Sequence, residues 1–253
     1  MNIFFYLRLL LIAFIILLII LQHYIFSTAL NNIFFPLLSG LVGSVLNTKV
    51  RVHGNTDAFN NSNLLVMANH YDGFSDANLL YNLYCKHNSI NHMHAIVKAD
   101  FLGNSDEKIY KIFNFLNGAI LDSLWLIPYK RGDKNDGALV KNKIKESLDS
   151  GKNILIYPEG VAHRNGIPVA FKQGIFDLAV EQKMNILPIT MKYNRDIGAE
   201  KWEPPNTAML LDNELDIYIH DIIRCETDDC YKANDPVALK HKVFNIISEP
   251  MLA

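Results

Sequence analysis

The sequence predicts an α/β domain, a mixed and largely parallel sheet flanked by helices, preceded by an N-terminal membrane-embedded helical segment. Three observations predict it. From residue 49 onward, short runs with strand character alternate with stretches of helical periodicity. Polar residues capable of chemistry sit where buried-strand runs end, and parallel sheets gather their sites at the carboxyl ends of their strands. The stretch 3–26 is apolar apart from Arg8, Gln22 and His23, long enough for a helix to cross a bilayer. The chain therefore divides into an N-terminal membrane anchor, 1–48, and a folded domain, 49–253.

The anchor comes first. Arg8 can snorkel to the headgroups from one end of the spanning helix. A secretory signal cleaved near Ser27-Thr28-Ala29 is the rival reading. It fits less well, because only one basic residue precedes the apolar core and a second apolar segment follows at once. That second segment, 33–46, carries Pro36, Gly40 and Gly43 and is too short to span comfortably. It reads as an interfacial or re-entrant helix. Lys49 and Arg51 come next. They suit anionic headgroups and favour that side as cytoplasmic.

The domain's elements follow in order. Val50 and Val52 alternate with Lys49, Arg51 and His53, as in a half-buried strand. The run 64–68 is a buried strand, and 76–86 a helix grouping Leu79, Leu80, Leu83 and Tyr84 on one face. Strands are predicted at 94–99 and 124–131, where Pro128 implies a sheet edge or an exit from the ladder. Val140, Ile144 and Leu148 mark a helix over 137–150 with Gly151 as its C-terminal cap. Then come a strand at 153–160, a helix at 171–183, and strands at 185–193 and 215–222. The last helix is capped by Asn234, with Leu239, Val243 and Ile247 on its apolar face.

Composition excludes some functions. Twenty-four Lys and Arg oppose 26 Asp and Glu, a net charge of −2, so nothing argues for nucleic acid as a partner. Three cysteines lack zinc-site spacing, and free thiols are preferred over a Cys225–Cys230 pair. No metal is expected, since histidines such as His92 and His94 lack a supporting ligand set. No G-x-S-x-G elbow supports a serine hydrolase.

Three stretches carry chemistry. In "NHYDGFSD" (69–76) a strand end delivers His70 into a turn that also holds two aspartates. An imidazole is a good general base when a carboxylate on its other nitrogen fixes tautomer and orientation. Asp76, at the helix start, can reach back to His70, and Asp72 can do so locally. In "PYKRGDK", Lys130 and Arg131 follow a strand end, and the Arg fork matches phosphate. In "YPEGVAHRNGIPVAFKQG", Glu159 could accept from a substrate hydroxyl or order a cation. The loop could present N–H groups and Arg164 to an anion.

Taken together, these stretches resemble the lysophospholipid (glycerophosphate) acyltransferase family from about Val50 to the C-terminus. The apolar N-terminus is similar to that family's two-helix membrane motif. "NHYDGFSD" resembles the N-H-x-x-x-x-D block, and "GAILDSLWLIPYKRGD" the second block, ending in Arg131. "YPEGVAHR", then "AFKQGIFDLAVEQKMNILPI", resembles the F-P-E-G-T-R, F-K-x-G and V-P-I blocks in order and spacing across roughly 30 residues. Some positions depart. Five residues rather than four separate His70 from Asp76, which one inserted turn residue explains. Val161 and Ala162 replace the usual Thr and Arg, and Arg164 is the candidate stand-in.

The resemblance implies a membrane-bound enzyme that moves a fatty acyl chain from acyl-CoA to the free hydroxyl of a lysophospholipid, above all lysophosphatidic acid. No cofactor is implied beyond acyl-CoA as co-substrate, and the partners are membrane lipids. His70 would take the hydroxyl proton and Asp76 orient the ring, with no acyl-enzyme. Arg131 would clamp the phosphate, with Glu159, Gly160 and Arg164 shaping the pocket. Lys130 and Lys98 are weaker candidates. The alternatives are remodelling of another phospholipid, tafazzin-like transacylation included, and a catalytically silent membrane-binding homologue.

Overall fold

Five consecutive buried residues, Leu64–Ala68, form the strand on which the domain is built. A strand covered on both faces needs no polar alternation, and this one has none. The computed structural model describes residues 47–71, 75–87, 93–98, 126–129, 134–162, 168–194 and 214–252, with isolated positions before residue 47. Its elements are β1 (Lys49–Gly54), a 3-10 helix (Thr56–Asn60), β2 (Leu64–Ala68), α1 (Ser75–His87), β3 (Met93–Lys98) and β4 (Leu126–Tyr129). Then follow α2 (Lys134–Asp149), β5 (Asn153–Ile156), α3 (Gly174–Glu181), β6 (Asn185–Tyr193), β7 (Glu214–Ile219), α4 (Asp229–Lys232) and α5 (Pro236–Leu252).

The seven strands form one sheet in the order β1-β7-β6-β2-β5-β3-β4. β2 pairs in parallel with both β5 and β6, and β3 with both β5 and β4. β7 runs antiparallel to β6, and β1 parallel to β7. Five strands thus point one way and two the other, which is the mixed, largely parallel sheet expected. Leu64, Val66 and Ala68 pack on one face with Leu80 and Tyr84 of α1. Leu65 and Met67 pack on the other with Ile144, Phe176, Leu239, Val243 and Ile247 of α2, α3 and α5.

Local chemistry sets several boundaries. α2 ends where Gly151 turns left-handed at φ +82°. Its N–H bonds Leu148 O at 2.8 Å and Lys152 N–H bonds Ser147 O at 2.9 Å, a paired C-terminal cap. β4 is an outermost strand, so Pro128, in register with Val97, costs the ladder little. α3 is shorter than expected: Lys172 N–H bonds Pro158 O at 2.8 Å in the segment that leads into it, and Lys183 beyond its end is left-handed at φ +50°. The last helix is capped by Asp235, whose carboxylate accepts from Val237 N–H at 3.0 Å and Ala238 N–H at 2.9 Å. Asn234, the cap expected, instead sits one residue earlier at φ +52°.

One expectation for β1 is corrected. Val50 and Val52 remain 38% and 37% exposed, because β1 is outermost and its valines lie beside Leu215 and Ile217 at the margin of the core. Lys49 and Arg51, expected to suit headgroups, also face protein carboxylates. Arg51 forks onto Asp216 at 2.7 and 3.1 Å and reaches Glu214 at 3.2 Å, while Lys49 lies 3.6 Å from Glu214. The Arg51 fork holds the Asp216 carboxyl well below the usual carboxylate range, helped by His53 and Asn194. Among the described residues no helix is long and apolar enough to cross a membrane. The spanning and interfacial helices expected within 1–48 fall outside the described residues, save isolated helical positions. Cys85, Cys225 and Cys230 are free thiols.

Candidate active site

The site begins where β2 stops. Asn69 is buried, and its amide does what a further ladder step would do. Its Nδ2 donates to Met191 O at 2.9 Å and its Oδ1 accepts from Met191 N–H at 2.7 Å. The backbone is thereby released into a turn while the position of residue 69 stays fixed against β6. His70 follows, with its side chain 16% exposed. Its ring stacks on Tyr157 at 4.1 Å and 16°.

His70 Nδ1 lies 3.2 Å from Asp76 Oδ2. A carboxylate oxygen facing Nδ1 suits the tautomer with the proton there, an arrangement that leaves Nε2 able to accept. Asp76 is fully buried in the first turn of α1, where the helix N-terminus favours negative charge. Its Oδ2 also accepts from Tyr71 N–H at 2.5 Å, and its Oδ1 from the Tyr193 hydroxyl at 2.9 Å. The five intervening residues therefore do not keep the pair apart. Asp72 lies outside the described residues.

Glu159 comes from the exit of β5, the strand beside β2. Its carboxylate is buried, and both oxygens accept backbone N–H groups: Oε1 from His70 at 2.7 Å and Oε2 from Val169 at 2.9 Å. It ties the His70 turn to the loop returning toward α3. This is a brace, where sequence reasoning had pictured an acceptor for substrate or cation. Burial pushes its pKa up to about 7, against the downward pull of those two N–H bonds and of His70. Gly160 takes the left-handed conformation, φ +70°, in the turn closed by its N–H on Tyr157 O at 3.0 Å.

Arg131, Arg164 and Lys130 lie outside the described residues, and Lys98 closes β3. His94 Nδ1 is 3.0 Å from Ser147 Oγ, and burial lowers its pKa, so it serves the β3–α2 packing. Among the described residues no group of three His, Cys, Asp or Glu side chains could hold a metal. Sequence reasoning missed three parts of the site. Tyr157 carried a signal, an aromatic residue inside the motif before Pro158. Asn69 carried a weaker one as the first residue of its block. Tyr193 carried none, standing 117 positions from the carboxylate it meets.

A histidine backed by a buried carboxylate, at the carboxyl end of a central parallel strand, is an arrangement able to act as a general base on a hydroxyl or water. The profile of the acyltransferase family matches residues 49–192, which include every element of this constellation but Tyr193, and the chain belongs to that family. Its relatives include the 1-acyl-sn-glycerol-3-phosphate acyltransferase of Borreliella burgdorferi, 24% identical over 172 residues, which are 68% of this chain and 60% of that protein. Human glycerol-3-phosphate acyltransferase 3 is 31% identical over 84 residues, 32% of this chain and 18% of that protein. The chain thus spans about three fifths of the bacterial relative and less of the human one. In fold it resembles the crystal structure of the 1-acyl-sn-glycerophosphate (LPA) acyltransferase PlsC from Thermotoga maritima. The TM-score is 0.63 at 15% identity, over 98% of this chain and 91% of that one.

Proposed function

We propose that this chain transfers a fatty acyl group from acyl-CoA to the free hydroxyl of lysophosphatidic acid, giving phosphatidic acid and free CoA. The observation that carries the reading is the His70 Nδ1–Asp76 contact at 3.2 Å, which reserves Nε2 for a substrate proton. His70 Nε2 removes the hydroxyl proton as the oxygen attacks the thioester carbonyl. The C–O ester bond forms, the C–S bond breaks, and the imidazolium returns its proton to the departing sulfur. Asp76 stabilises the imidazolium charge while it exists. Glu159 keeps the His70 backbone in place. Arg131 binds the substrate phosphate, with Arg164 and the Gly160 turn completing that side of the pocket.

Residues 1–48 hold the domain at the membrane, of endoplasmic reticulum or bacterial inner-membrane type. Both acceptor and product carry acyl chains, and each buried CH₂ is worth about 0.8 kcal/mol, so an interfacial site spares their extraction. The helical positions Leu7, Leu10, Leu11, Phe14 and Leu18 are apolar and exposed, which supports this. A second reading keeps the chemistry and changes the acceptor to glycerol 3-phosphate, which a relative's name favours.

The test is acyl-CoA consumption by membranes carrying the full chain, with lysophosphatidic acid, beside His70→Ala. Product formation that vanishes in the variant supports the reading. Transfer only to glycerol 3-phosphate, or only between phospholipids without acyl-CoA, replaces the acceptor or donor. No transfer above His70→Ala with any of these overturns it.

A further inference from the structure

The geometry points to Tyr193 as a positioning residue that acts on His70 through Asp76, an inference that rests on the proposed transferase reading. Tyr193 is the last residue of β6, one position beyond the segment that matches the family. Its ring is buried against Tyr71, centroids 4.4 Å apart, and its hydroxyl donates to Asp76 Oδ1 at 2.9 Å. The other oxygen, Oδ2, is the one that faces His70 Nδ1 and accepts from Tyr71 N–H. The torsion that turns a carboxylate about its Cβ–Cγ bond is broad. A donor fixed on Oδ1 removes that freedom and presents Oδ2 to the ring.

Two residues on one face of β6 thus hold both ends of the catalytic turn. Met191 grips Asn69 through two backbone bonds, and Tyr193 grips Asp76 through its hydroxyl. The turn between them holds one residue more than the family spacing. A longer turn has more conformations to lose, so a clamp at its far end matters more here. The oxygens of a fully buried carboxylate also need donors, and the phenol is one.

The experiment compares the full chain in membranes with Tyr193→Phe, which removes only the hydroxyl. With acyl-CoA and lysophosphatidic acid, kcat is expected to fall about tenfold, the loss of one hydrogen bond to a charged group, with both KM values within about twofold. In detergent-solubilised protein labelled with ¹⁵N-histidine, the His70 Nδ1–H resonance, identified by its loss in His70→Asn, is expected to shift or exchange away in the variant. A kcat within about twofold of wild type, or a change confined to KM, overturns the inference while leaving the transferase reading intact. Absence of transfer in the wild type, with the resonance still responding to Tyr193→Phe, overturns the reading but supports the Tyr193–Asp76–His70 connection. If Tyr193→Phe does not fold, the ring carbon bearing the hydroxyl of Tyr193, ¹³C-labelled in otherwise unaltered protein, must shift on Asp76→Asn. No shift overturns the inference.

Discussion

Replacing Glu159 by Gln separates two opposed energies at one buried side chain. The carboxylate braces the site through two backbone N–H groups, and its pKa stands near 7 rather than the ordinary 4.5. Gln offers one carbonyl oxygen, so one of those N–H groups loses its acceptor at a cost of about 1–3 kcal/mol. Gln also removes the cost of burying a charge. A folded-state pKa raised above the unfolded value means the native state binds the extra proton between pH 4.5 and 7. Wild-type stability is therefore highest below the ordinary pKa and falls as pH rises through about 7. From pH 5 to pH 8 this group alone removes about 2.5 kcal/mol from the wild type and nothing from the variant. The expected result is a wild-type advantage at pH 5 that shrinks by about this amount, enough to cancel or reverse it, at pH 8. Urea unfolding of both full-length proteins in the same detergent, at both pH values, measures it. A stability difference that does not change with pH would refute the argument, because it would mean Glu159 stays ionised in the fold throughout.

Three further outcomes follow from named contacts. Asp76→Asn should cost about 10³–10⁴ in kcat, since an amide facing Nδ1 favours the wrong tautomer, and Asp72→Asn far less; parallel rate measurements showing the reverse order would reassign the carboxylate partner of His70. Asn69→Ala strips both backbone groups of Met191 of their partner inside the core and should lower stability by about 2–4 kcal/mol, read by denaturant titration. Gly54→Ala puts a Cβ 2.0 Å from Ile219 O at a residue with φ +93°, and should cost about 3 kcal/mol or more or force β1 away from β7. An unchanged melting temperature for that variant would contradict the β1–β7 register.

Much of the fold was legible because its signals are local. The uninterrupted apolar run 64–68 announces a central strand, and the bounds of β2 match it residue for residue. Gly151 announces the end of α2 through a conformation other residues resist. β1 was misread because alternation reports which residues share a face, not whether anything covers it. Val50 and Val52 share a face with Leu215 and Ile217, yet the sheet ends there. The ion pairs of Lys49 and Arg51 were not legible because their acids, Glu214 and Asp216, arrive from 165 positions away. In the site, residue types marked His70, Asp76 and Glu159, but not what each one touches. That Glu159 spends both oxygens on backbone N–H groups, and that β6 grips the turn at two points, depends on which strands become neighbours.

The supports of the His70–Asp76 turn also set an order of events in the life of the chain. Glu159 lies 89 positions beyond His70, Met191 lies 122 beyond Asn69, and Tyr193 lies 117 beyond Asp76. A ribosome adding about 5–20 residues per second makes the histidine and aspartate roughly 6–23 s before the tyrosine that meets them. Until β5 emerges β2 has neither of its parallel neighbours, and until β6 follows it has only one, so its five apolar residues need shelter from a chaperone or from the membrane. The nascent protein thus carries its reactive residues long before it can use them. The turn is fully held only late, when β6 slides in beside β2.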